Sequence, residues 1–203
     1  RYEFFDRGAS YQNNLGITAS TATSSLRFSV GYTDQLGVVP NNTFKKLNFG
    51  LNADSKLGDR WKVSTAIQYI NSGGTRIEQG SNTSGVMLGL VRTPPTFDNG
   101  NGLDNPADDP TSYTFADGRQ RSYRGYGIYD NPYWTVNNNP LKDKVNRVIG
   151  NVALTWSPKS WIDLTYRPSV DFYSDSRKQY FAIGSATKSA GQVFEDRYNS
   201  RIY

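Results

Sequence analysis

Apolar and polar residues alternate one by one through six segments of about ten residues, and this period of two restricts the chain to strands with two chemically different faces. Leu15, Ile17 and Ala19 alternate with Gly16, Thr18 and Ser20, and Leu26, Phe28, Val30 and Tyr32 with Arg27, Ser29, Gly31 and Thr33. Leu47, Phe49, Leu51 and Ala53 are set against Asn48, Gly50, Asn52 and Asp54. Trp61, Val63, Thr65, Ile67 and Tyr69 follow, against Lys62, Ser64, Ala66 and Gln68. A fifth segment carries Val148, Val152, Leu154 and Trp156, and a sixth Ile162, Leu164, Tyr166, Val170 and Phe172. A seventh begins near Gln192 and is incomplete. Helical periodicity is convincing nowhere, so the expected fold is all-β, with about six complete strands and a partial seventh.

The connections alternate in length. Ala22 to Ser24, Lys56 to Arg60 and Pro158 to Ser160 are short turns, whereas Asp34 to Thr43 is longer and residues 71–145 form one long connection. Short turns on one side and long loops on the other belong to a section of a large antiparallel up-and-down transmembrane β-barrel. Such a barrel also places aromatic residues at both interfaces. Trp61, Trp156 and Trp161 adjoin short turns, while Tyr32, Phe44 and Tyr69 flank the long connections. Two residues depart from the pattern. Trp161 has the wrong parity for the apolar face, and Pro168 interrupts a strand, so a bulge is expected near each. The pair Gly73-Gly74 is expected to open the long loop.

Composition agrees with a sheet that has one wet face. Only 36% of residues are hydrophobic, yet 14% are aromatic, more than a disordered chain carries. With no Cys and no His, the chain has no thiolate nucleophile, no His-based acid–base chemistry and no zinc ribbon, so the reading is of a protein that is not an enzyme. The net charge of +5 is scattered and does not form the basic stripe that nucleic acid requires. No apolar run is long enough for a membrane-spanning helix. The chain begins without Met and stops inside an apparent strand, so it is expected to be part of something larger.

Two constellations in the long connection bear on binding. Asp98-Asn99-Gly100-Asn101-Gly102-Leu103-Asp104, with Asp108 and Asp109, is rich in oxygen and could ligate calcium. Its spacing departs from the EF-hand loop, however, and a solvated turn accounts for the same residues, so no metal site is assigned. The candidate ligand-binding residues are Tyr123, Arg124, Tyr126, Tyr129, Tyr133 and Trp134. Flat aromatic faces beside a guanidinium suit sugar rings or peptides, and self-packing of the loop is the alternative.

An ordered series of short motifs carries a family resemblance. Phe5-Asp6-Arg7-Gly8-Ala9 with Gln12-Asn13-Asn14, then Leu26-Arg27-Phe28-Ser29-Val30-Gly31-Tyr32 and Asp34-Gln35-Leu36-Gly37-Val38-Val39, resembles the start of the barrel in SusC/RagA-type TonB-linked outer membrane proteins. Arg92-Thr93-Pro94-Pro95, Asn131-Pro132-Tyr133-Trp134, Asn146-Arg147 and Gly150-Asn151 continue the series in family order. The resemblance implies a parent barrel of about 22 strands around a plug that this chain does not show. It also implies uptake of a glycan or peptide energised through TonB, a SusD-like surface lipoprotein as partner, contact with outer-membrane lipid, and no cofactor. Residues 71–145 would be an extracellular loop. The competing reading is a secreted or surface β-sandwich binding module, or adhesin, in which the same apolar residues form a dry core.

Overall fold

The computed structural model describes residues 2–78, 82–125 and 128–203, with the side chain of Tyr2 left aside. The strands are β1 (Ala9–Ser20), β2 (Ser24–Leu36), β3 (Thr43–Leu57), β4 (Trp61–Arg76), β5 (Leu141–Lys159), β6 (Ile162–Tyr166), β7 (Ser169–Ile183) and β8 (Ala190–Ile202). They form one antiparallel sheet in the order β1-β2-β3-β4-β5-β7-β8, with β6 also paired to β5. Among the described residues no second sheet covers it, which removes the sandwich reading.

Sequence alternation becomes face segregation because the register is unbroken from β1 to β5. Leu15, Val30, Phe49, Tyr69, Val148 and Phe172 lie in one cross-strand row. Leu57, Trp61, Trp156 and Leu164 form the row beside the short turns. The opposite face carries rows such as Thr18, Arg27, Asn52, Ala66, Asn151 and Ser169. Trp61 and Trp156 are register partners with rings stacked 5.7 Å apart, so both mark the short-turn rim. Tyr32 and Tyr69 lie on the apolar face toward the other rim. Phe44, expected beside them, pairs with Gln35 and Gly74 and has polar-face parity. From Trp61 to Tyr69 the apolar band covers about 26 Å of strand at a rise of ~3.3 Å per residue, the scale of an outer-membrane barrel's lipid-facing belt.

Apolar surface left in the open also distinguishes this sheet from a soluble core. The accessible surface is 13037 Å², whereas a compact soluble chain of this mass exposes about 9,500 Å².

Pro168 does not cause the bulge expected there. The sum of register partners is the same on both sides of it: Leu154 faces Tyr166 and Asn151 faces Ser169. The Val152 N–H still donates to the Pro168 carbonyl at 3.1 Å. Pro168 simply returns no N–H, which splits one strand into β6 and β7 without shifting it. The irregularity lies instead between Trp156 and Lys159, and it leaves Trp161 in the hairpin turn, 80% exposed. Gly73 and Gly74 are likewise in β4 rather than in a loop. A side chain at either would collide with a neighbouring strand's carbonyl oxygen, Asp143 for Gly73 and Thr43 for Gly74.

The connection that remains, 77–140, holds two short helices that strand periodicity did not disclose, α1 (Val86–Arg92) and α2 (Pro132–Asn138). The Asn131 side chain accepts the Tyr133 N–H at 2.9 Å and Pro132 opens α2, a start signal legible in the motif itself. Here lies the buried core of the molecule: Val86, Leu90, Tyr113, Tyr133, Trp134 and Val136, joined by Phe4 and Val39. We call this unit the cap.

Because Phe49 lies on the apolar face and Asn48 on the other, Phe49→Arg in the intact protein is expected to cost about 2–4 kcal/mol in lipid. Asn48→Arg should cost far less. Unfolding titrations in lipid vesicles check the difference, and equal costs would contradict this facing.

Candidate functional site

Contacts with the residues around it fasten the cap. Asn41, in the β2–β3 connection, donates from Nδ2 to the Val136 carbonyl at 3.3 Å and to Asn137 Oδ1 at 2.8 Å. Phe4 packs on Tyr133 with ring centroids 4.9 Å apart. The β7–β8 turn supplies Ser185, whose Oγ accepts from Trp134 Nε1 at 3.0 Å.

A buried polar network secures that last point. Gln120 Nε2 donates to Asp130 Oδ1 and, at 2.8 Å, to the Gly184 carbonyl. The Ala186 N–H donates to Asp130 Oδ1 at 2.7 Å. Asn139 Oδ1 accepts from Ser185 Oγ at 2.8 Å and from the Ala182 N–H at 3.0 Å. Neither Gln120, Asp130 nor Asn139 has more than a trace of exposure. Burial raises the Asp130 carboxyl above its ordinary value, against the opposing hydrogen bonds from Gln120 and Ala186. Glu78, also buried, is raised for the same reason; Ser84 donates to its Oε1, while its Oε2 has no hydrogen-bond partner among the described residues.

The structure divides the six candidate residues. Tyr133 and Trp134 are each 5% exposed and form the cap's core, so their faces are already occupied. Burial first, and then the Asp98 charge, pushes the Tyr133 phenol up to about 12. Tyr126 lies outside the described residues. Tyr123, Arg124 and Tyr129 form a surface cluster, with the two tyrosine rings stacked 5.8 Å apart and the Arg124 guanidinium 5.2 Å from the Tyr129 centroid. Sequence reading missed a fourth member. Arg92, at the end of α1, sits 5.6 Å from the same ring and is held by the Asn82 carbonyl at 3.0 Å. Only its place in the helix's last turn hinted at a role, and 37 residues separate it from Tyr129. Two guanidiniums on stacked phenols offer hydrogen-bond donors for carboxylates or hydroxyls beside flat apolar faces.

The acidic run serves the backbone. Asp98 accepts the N–H groups of Gly100 and Gly102, and Asp109 that of Thr111 at 2.9 Å. These are turn caps of the kind a solvated loop uses.

A buried acid raised in the folded state stabilises the fold below its unfolded pKa and loses that stabilisation as pH rises through the folded value. The cap is therefore expected to weaken as pH climbs from about 4 through the raised values of Glu78 and Asp130. Glu78→Gln should make that slope shallower. Urea midpoints for exposure of 77–140 to a protease pulse, taken across pH, measure it.

Comparison with known proteins agrees with this architecture. No family model matches the chain. The TonB-dependent receptor SusC of Bacteroides thetaiotaomicron is 24% identical over 139 residues, covering 68% of this chain and 13% of the receptor. The RagAB peptide importer in its open-open state superposes with a TM-score of 0.73 at 17% identity, over 97% of this chain and 21% of that one. A further RagAB peptide transporter structure gives 0.70 at 18% identity, with the same coverage. The chain thus spans about an eighth of the curated relative and a fifth of the structural ones. The chain is thus similar in sequence to a stretch of SusC and shares the fold of a barrel section of the RagAB transporter.

Proposed function

We propose that this section forms part of the wall and the outer cap of a nutrient importer energised through TonB. The carrying observation is the division of labour along each strand. One face is apolar over a membrane's depth, and beyond that depth the chain builds a compact cap at the long-connection end alone. Bacterial outer-membrane barrels keep their long connections outside the cell, so the cap would be extracellular. A capped barrel wall with no His and no Cys suits passage and binding better than bond-making chemistry. The cargo class is a glycan or peptide, and a SusD-like lipoprotein would close over the cap, as the likeness to SusC and to the RagAB peptide importer suggests.

Within the cap the contact surface is Arg92, Tyr123, Arg124 and Tyr129, while Tyr133 and Trp134 hold the cap in shape. In the intact protein, Tyr129→Ala combined with Arg92→Ala should reduce cargo uptake or lipoprotein retention several-fold with the cap folded. Trp134→Ala should instead cost the cap about 3–5 kcal/mol and expose 77–140 to protease. Uptake of labelled glycans and peptides, lipoprotein pull-down and limited proteolysis separate the two effects. Wild-type uptake and wild-type retention in the double variant would reduce the cluster to loop packing.

A further inference from the structure

The apolar face gathers most of its cations at one end. Positions on this face include Lys45 on β3, Lys142 and Lys144 on β5, Lys178 on β7, and Arg197 and Arg201 on β8. All lie toward the long-connection end. Among the described strand residues, the cation that this face carries beside the short turns is Lys159, which the register shift aligns with Ile162. Two acids share this end, Asp34 and Glu195. Asp34 pairs with Lys45 at 3.3 Å, and Glu195 with Lys178 and Arg197. Lys144 is exposed and pairs with no carboxylate among the described residues.

Two of these lysines flank a gap in the sheet's side-chain layer. Gly73 is the register partner of Lys45 on one side and of Lys144 on the other. Because Gly73 presents no side chain, an open cleft of about 460 Å³ lies between the two ammonium-bearing stems. Tyr32, Leu47 and Asn71 line it on the side of the apolar band, one register row nearer that band. The close approach of Asp143 to Gly73 forbids any larger residue from filling it. A cavity with a lysine on each side, Lys45 shared with Asp34 and the Asp143 carboxylate in the lining held by Arg76, thus opens onto the surface that faces lipid.

We propose that this cleft holds the phosphate of a phosphorylated lipid headgroup in the outer leaflet, its acyl chains running down over Leu47, Phe49, Tyr69 and Val148. The inference rests on the barrel reading above, which places the apolar band in the membrane and the long-connection end outside. Charge complementarity selects the occupant: ammonium groups bind phosphate as point charges, and they lie at headgroup depth immediately beyond an interfacial tyrosine. A free soluble phosphate would gain nothing from the apolar floor below.

Native mass spectrometry of the intact protein, in phosphatidylcholine nanodiscs containing either phosphatidic acid or diacylglycerol, tests the assignment. Wild type should retain phosphatidic acid in preference to diacylglycerol. Lys45→Ala with Lys144→Ala should lower that retention at least about tenfold, as removal of two surface cations of roughly 1 kcal/mol each requires. Lys45→Arg with Lys144→Arg should keep it. Millimolar inorganic phosphate should not displace the lipid. Equal retention by wild type and the alanine pair overturns the proposal, and full displacement by inorganic phosphate reassigns the cleft to a soluble anion. Failure of the wild-type protein to enter nanodiscs at all would instead overturn the barrel reading.

Discussion

Everything in this chain depends on the sheet's own hydrogen-bond ladder. In a hydrocarbon surround no water satisfies a backbone N–H or carbonyl, so each must find its partner on the neighbouring strand. That demand explains why five strands pair in sequence without a register slip, since a slip of one residue would turn every lipid-facing side chain inward. It also explains how Pro168 is accommodated. The strand gives up the one bond proline cannot make and keeps its alignment with β5. The extra residue is placed at Trp156–Lys159, near the short turn, where water can reach the unpaired groups.

Relief from that demand beyond the membrane band permits a different kind of structure. Above the tyrosine row the strands continue for about seven residues, and their ends carry ion pairs such as Arg76 with Asp143 and Arg177 with Asp175. The cap then folds as a small soluble protein would, around Val86, Leu90 and Trp134, with Trp134 Nε1 donating to Ser185 of the β7–β8 turn. The buried core of this chain is therefore in the part outside the band. Inside the band, on the barrel reading proposed above, lipid would take the place of a core.

Period two made the sheet legible in the sequence, because lipid on one side and polar surroundings on the other impose the same alternation on every strand. That Trp61 and Trp156 share one rim followed from alternation and turn lengths, and the register makes them direct partners. The cap was not legible in that way. Its helices are seven residues each, too short to establish a helical period. Tyr133 and Trp134 look like ligand-stacking residues in a linear reading, because nothing local reveals that Phe4 and Ser185 enclose them. Arg92, though part of a quoted motif, was not legible as a contact residue for the complementary reason. Its partner Tyr129 is brought to it by the fold, across a segment with no periodicity to read.

The cap's fastenings also dictate an order of assembly. Gln120 reaches Gly184 across 64 residues, Trp134 reaches Ser185 across 51, and Asn41 reaches Asn137 across 96. Closing loops of that length before the strands are in place would forfeit chain entropy with little contact to offset it. The β7–β8 turn has to be positioned by its own hairpin before Asp130 and Asn139 find their donors. The fastening of residues 77–140 to the β7–β8 turn is therefore expected to form after the strands on both sides of them have paired. A wall section that has failed to pair as far as β8 carries an unclosed, protease-accessible segment, which distinguishes it from a finished one.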